Sequence, residues 1–130
     1  MRRKRISSGS SWERDVGYSR AIRVGNHVYV SGTTATHADG YVVAVGDPYG
    51  QTRYILQKIA GVLGEVDATL SDVVRTRMFV TDMTSWEEIG RAPGEFFADV
   101  RPAATMVEVS GLIDPDHLVE IEVDAMVDDD

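Results

Sequence analysis

The chain of 130 residues contains no cysteine. That excludes disulfides, thiolate metal sites and a cysteine nucleophile, and it fits a reducing compartment. Nor does any apolar run approach the roughly eighteen residues that a membrane span requires. The basic start Arg2-Arg3-Lys4-Arg5 is followed, after Ile6, by Ser7-Ser8-Gly9-Ser10-Ser11, which cannot serve as the apolar stretch of a secretory signal. The expectation is a cytoplasmic protein with no membrane contact.

Positive charge is scarce beyond that start. Four of the 13 Lys and Arg residues lie in the first five positions, leaving nine against 21 Asp and Glu, a balance of −12 for the rest of the chain. Such a body repels a polyanion, because nucleic-acid binding needs clustered cations that release counterions. Nucleic acid is therefore not an expected partner. The basic N-terminus reads as a solvated first strand or a charged edge that discourages aggregation. Asp128-Asp129-Asp130 reads as a solvated end.

Familiar chemical motifs are also missing. His27, His37 and His117 stand alone, without the spacing that places two ligands on one face, so no metal site is expected and each reads as a surface or strand-end residue. There is no G-x-S-x-G nucleophile elbow and no G-x-x-x-x-G-K-[ST] phosphate loop. Ser31-Gly32-Thr33-Thr34, following the apolar Val28-Tyr29-Val30, is the one segment whose amides and hydroxyls suggest an anion cradle; a strand also commonly ends in Ser-Gly.

What is present is a core. With 43% apolar residues and no internal repeat, the chain suits one compact domain over residues 1–130. Residues 3–7 read as an edge strand, and 19–24 and 27–32 as a hairpin turning at Gly25-Asn26. Asp47-Pro48 opens a helix that runs to about Val66, with Ile55, Ile59, Val62, Leu63 and Val66 forming one apolar stripe. Gly61 and Gly64 within it suggest close packing against a sheet. Residues 73–81 form the next strand. Thr84-Ser85-Trp86-Glu87 reads as a capping box that starts a second helix with an apolar face of Trp86, Ile89, Phe96, Phe97 and Val100. Pro93 is expected to kink that helix or split it. Strands at 103–109 and 118–127 complete the order β-β-β-α-β-α-β-β, an α+β domain with two helices on one face of a mixed sheet of about six strands.

Alternation divides the last strand. Val119, Ile121, Val123, Ala125 and Val127 face one way, while Glu120, Glu122, Asp124 and Met126 face the other. Arg75 and Arg77 share a face of the strand at 73–81, so a cross-strand Arg/Glu ladder would offset these charges. A carboxylate on that face could instead line a cleft and act as a general base, provided burial or a neighbour tunes its pKa.

Five blocks in order, Gly17-Tyr18-Ser19, Val24 to Gly32, Gln51-Thr52-Arg53, Pro102 to Val109 and Val119-Glu120-Ile121-Glu122, resemble the RidA/YjgF family and span nearly the whole chain. The resemblance implies a chorismate-mutase-like α+β fold, a homotrimer whose sheets pack into a central barrel, and small-molecule clefts between subunits. It also implies hydrolysis of imines or enamines without metal or organic cofactor. On this resemblance Tyr18 reaches into the cleft, Ser31 and Gly32 lie beside the ligand, and Glu120 holds the hydrolytic water. Thr105 falls beside the position of the family's ligand-binding arginine, which is Ala104 in this chain. A guanidinium there would clamp a substrate carboxylate through two charge-assisted hydrogen bonds, and alanine offers none. Arg101, three residues earlier, is expected to point to the opposite face. The implied readings are therefore a deaminase-like hydrolase of an unusual substrate, a non-catalytic ligand-binding or regulatory trimer, or an endoribonuclease, which the acidic body disfavours.

Overall fold

The computed structural model describes residues 2–128. Six strands, β1 (Arg3–Ile6), β2 (Ala21–Val24), β3 (His27–Thr34), β4 (Val73–Val80), β5 (Ala103–Glu108) and β6 (Val119–Met126), form one sheet in the order β1-β2-β3-β6-β4-β5. All neighbours are antiparallel except β4 and β5. This is the mixed sheet expected from the alternation. Asp128 is exposed, and Asp129 and Asp130 of the expected solvated end lie outside the described residues.

Three helices accompany the sheet: α1 (Ser11–Val16), α2 (Pro48–Gly64) and α3 (Trp86–Phe96). The sequence reading found only the last two. Ser10 caps α1 by accepting from the Trp12 amide at 3.1 Å, and Gly17 ends it in the left-handed conformation (φ 85°). The signal was available, because Ser10-Ser11-Trp12-Glu13 has the same pattern as Thr84-Ser85-Trp86-Glu87. In neither place does the reciprocal box form. Glu13 instead binds the Ser8 amide and hydroxyl. Asp82 caps a 3-10 turn over Met83–Ser85 ahead of α3, accepting from the Thr84 amide at 3.0 Å.

Asp47 caps α2 through the Gly50 amide at 2.9 Å, and Pro48 occupies the first turn, where its missing N–H costs nothing. Ile55, Ile59, Leu63 and Val66 are buried as the stripe requires, joined by Leu56. Removing each such side chain from water contributes about 1.5–3 kcal/mol. Gly61 and Gly64 do not mark close packing: both are exposed, and a Cβ at either would meet nothing within 4 Å. Helix α3 runs as one element through Pro93, two turns from its start, with Phe97 N–H bonded to Pro93 O at 2.8 Å. Its buried face is Ile89 and Ala92, followed by Phe97; Trp86 is exposed.

Helices α2 and α3 cover the face of the sheet that carries Val28, Val30, Met78, Val80, Val119, Ile121, Val123 and Ala125. The opposite face is open. Tyr29, Val107 and Met126 on it are 47%, 41% and 47% exposed. Strand β6, last in the chain, lies near the middle of the sheet, so its carboxylates stand at the centre of the open face.

Candidate active site

The hairpin turns at Gly25, which takes φ 58°, and carries β3 back beside β6. The register of β3 against β6 shifts between Val30 and Thr33, so β3 continues through a bulge to Thr34 instead of ending at Ser31-Gly32. Gly32 sits in this bulge, where a Cβ would overlap the Glu120 carboxylate. Glycine at this position lets the carboxylate lie against the strand. The Arg20 guanidinium donates to Gly32 O and lies 5.8 Å from the centre of the Tyr18 ring. The left-handed Gly17 that ends α1 delivers Tyr18 to this place.

A cavity of about 430 Å³ opens here, lined by Arg5, Tyr18, Tyr29, Ser31, Glu122 and Asp124 among others. The structure thus brings Tyr18 and Ser31 together. Glu120 lies against Gly32, and the β6 carboxylates on the cavity wall are Glu122 and Asp124. The Ser31 hydroxyl donates to Ser19 O at 2.6 Å, its amide to Arg20 O at 3.0 Å, and the Thr33 hydroxyl to Ser31 O at 2.8 Å. These donors are satisfied by backbone carbonyls. The Ser31 amide and the Ser31 and Thr33 hydroxyls are therefore engaged within the chain.

The Arg/Glu ladder is real but uneven. Arg77 pairs with Glu122 at 3.5 Å and Asp124 at 3.1 Å, while Arg75 pairs with neither. Glu120 is pushed above the ordinary carboxylate value by burial, helped by Glu122 and opposed by Arg20. It therefore keeps a proton to higher pH than a solvated glutamate does. Sequence reasoning missed Arg5 and Tyr29 on the cavity wall and Arg20 at Gly32 O, since each gains meaning only from contacts made by the folded chain.

Ala104 and Thr105 lie elsewhere in the chain. Both are exposed on β5, at the far edge of the sheet. Three strand spacings, about 14 Å, separate β3 from β5. By register Ala104 shares Thr76's side of the sheet, and Thr105 shares the open face with Arg75 and Arg77. Arg101 lies ahead of β5 with φ 51°, so strand alternation does not set its direction.

His117 departs from its expected surface position. It stands two residues before β6 but is buried, with Nε2 2.9 Å from Thr36 Oγ1 and Nδ1 buried without a partner. Burial lowers its pKa; Asp114 opposes this, Lys58 reinforces it and Asp116 opposes it. The depressed value makes the unfolded chain bind the proton more readily once pH drops below about 6.5. Stability is thus expected to fall on acidification through that range. Urea midpoints at about pH 5 and about pH 8 should differ less for His117→Asn than for wild type; an equal difference would exclude this histidine as the cause.

Among the described residues no group of three or more His, Asp or Glu could hold a metal ion, and no helix is long and apolar enough to cross a membrane. A mixed six-stranded sheet with α2 and α3 on one face and a cavity beside its central carboxylates defines a chorismate-mutase-like α+β protein. The family model described as Endoribonuclease L-PSP matches residues 10–127. The chain belongs to this family, the YjgF/RidA family. A 3-aminoacrylate deaminase, RutC, of Acinetobacter baylyi is 38% identical over 104 residues, covering 80% of this chain and 82% of that protein. An uncharacterised Streptomyces coelicolor protein is also 38% identical, over 122 residues, covering 94% and 90% of the two chains. The crystal structure of a Mycobacterium tuberculosis member of the YjgF/YER057c/UK114 family superposes with a TM-score of 0.88 at 48% identity, covering 97% of this chain and 100% of that one.

Proposed function

We propose that this protein hydrolyses an imine or enamine to a carbonyl compound and ammonia, in a cleft completed by a second copy of the chain within a homotrimer. The observation that carries the reading is the meeting of Tyr18, Ser31 and Glu122 at one cavity, in a chain related to a 3-aminoacrylate deaminase. Water adds to the C=N carbon as Glu122 takes its proton. The nitrogen acquires a proton in turn and leaves as ammonia, so the overall change is C=N plus water to C=O plus ammonia. Tyr18 supplies a hydroxyl to orient the reacting group. No metal or organic cofactor enters this reaction.

The second copy is invoked because Tyr18 lines the cavity at β3 and β6, whereas Thr105 lies on the β5 edge, three strand spacings from β3. A cleft containing both must bring the β5 edge of one subunit to the β3 side of another. The apolar residues on the open sheet face give such an assembly surface to bury. A second reading, a trimer that binds a small molecule without turnover, is favoured by Ala104, whose methyl group offers no hydrogen bond to a substrate carboxylate. RNA cleavage is disfavoured by the charge of −12 outside the first five residues.

Ammonia release from 3-aminoacrylate generated in situ separates the first two readings. The hydrolase reading expects release faster than in buffer by a rate proportional to protein concentration. Binding of the compound with release at the buffer rate would leave the non-catalytic trimer.

A further inference from the structure

We infer that Arg75 and Thr105 form a binding site for the carboxylate of a small organic acid on the open face of the sheet. Arg75 and Arg77 share the open face of β4, and their pairing differs. Its neighbour across the β4–β6 register is Asp124, yet Asp124 and Glu122 are both taken by Arg77. Among the described residues Arg75 forms no ion pair, in a chain with 21 acidic residues. Its one contact runs from Nη2 to Thr105 Oγ1 at 3.4 Å, longer than the roughly 2.7–3.2 Å of a well-formed N–H···O bond. Its Nε is buried without a partner.

A guanidinium carries five N–H donors in a planar fork, and here one of them makes a long contact while no anion faces the rest. Such a fork matches the two oxygens of a carboxylate. The Thr105 hydroxyl adds a third donor. On the other side, the open face of β5 presents Ala103, Thr105 and Val107, none of which competes as an anion.

This inference rests on the hydrolase reading for what the carboxylate belongs to, namely an imino or enamino acid. It moves the anion clamp from position 104, which holds alanine, to the neighbouring strand. The anion site itself needs no turnover, so it is measured separately.

The test titrates the full chain with malonate, followed by calorimetry and by the arginine Nε–H resonances. Saturable binding is expected for malonate and not for the uncharged malonamide. Arg75→Gln should weaken malonate by about tenfold or more, and Thr105→Val should weaken it less while leaving circular dichroism unchanged. Arg101→Gln should leave it unchanged. Equal malonate affinity in wild type, Arg75→Gln and Thr105→Val would overturn the site. Inorganic phosphate binding as tightly as malonate would overturn the carboxylate assignment. Turnover of 3-aminoacrylate with the same KM in Arg75→Gln would sink this inference alone. Malonate binding that depends on Arg75 in a protein inert toward 3-aminoacrylate would sink the hydrolase reading alone.

Discussion

Replacing Glu122 with glutamine is expected to lower ammonia release from 3-aminoacrylate by about 10²–10⁴-fold, the range a positioned proton acceptor contributes. The amide keeps the shape and can still donate to a water molecule, but it cannot take the proton as water adds to the C=N carbon. Two groups compete for the role. Burial raises the pKa of Glu120 toward the range of a general base, but Glu120 lies over Gly32, whereas Glu122 lines the cavity with Tyr18 and Ser31, and the assignment rests on that position. Glu120→Gln is therefore expected to cost far less than Glu122→Gln at neutral pH. The reverse order, with Glu120→Gln the inactive variant, would return the water to the carboxylate that the family resemblance selects. Because Glu122 also pairs with Arg77 at 3.5 Å, both variants need a folding control. Exposed ion pairs contribute only about 0–1 kcal/mol, so Glu122→Gln should unfold at nearly the wild-type urea concentration.

The largest effect on stability is expected at Ile59. It sits in the middle of the α2 stripe, fully buried, and pointed at the sheet. Truncation to alanine removes three carbons and leaves a void that the surrounding strands fill only in part, which costs about 2–5 kcal/mol. Against a total of about 5–15 kcal/mol, that is a large fraction of the stability of the fold. Ile113 provides the control, since it is 71% exposed and its truncation should stay within about 0.5 kcal/mol. Urea unfolding of both variants, at one protein concentration because assembly contributes to apparent stability, checks the contrast. Similar losses at the two positions would contradict the assigned packing of α2.

The elements were legible in the sequence because their signals are local. Strand alternation from Val119 onward separates the core face from the acidic face, and the structure buries Val119, Ile121, Val123 and Ala125 accordingly. Asp47-Pro48 and Gly25 act within a few residues of themselves. The misses have local causes too. Helix α1 is only six residues long, too short for a periodic stripe, and its cap pattern lies within a serine-rich run. Pro93 removes one N–H and crowds one turn, and the packing of Ile89 and Ala92 holds the helix through it.

The site was legible only in part. Tyr18, Ser31 and Gly32 were identified from family blocks, and the first two meet at the cavity while Gly32 sits under Glu120. The family resemblance selected Glu120, whereas Glu122, which faces the same way a single register step along β6, was read as a cross-strand ion-pair partner. That step acquires chemical meaning only from the bulge in β3, which places Gly32 under one carboxylate and the cavity beside the other.

By itself, then, the sequence determined that this is an acidic, cysteine-free α+β chain of the YjgF/RidA type, with its helices and strands at stated places. Periodicity, caps and turn residues act over a few positions, so they can be read in order. Only the tertiary structure decided which charges are partnered. Strand β6 inserts between β3 and β4, joining residues 119–126 to segments some 90 and 45 positions away, and that long-range pairing gives Arg77 two carboxylates and Arg75 none. It also buries His117 against Thr36 and leaves Thr105 on the β5 edge, three strand spacings from the β3 residues that share the cavity with Tyr18.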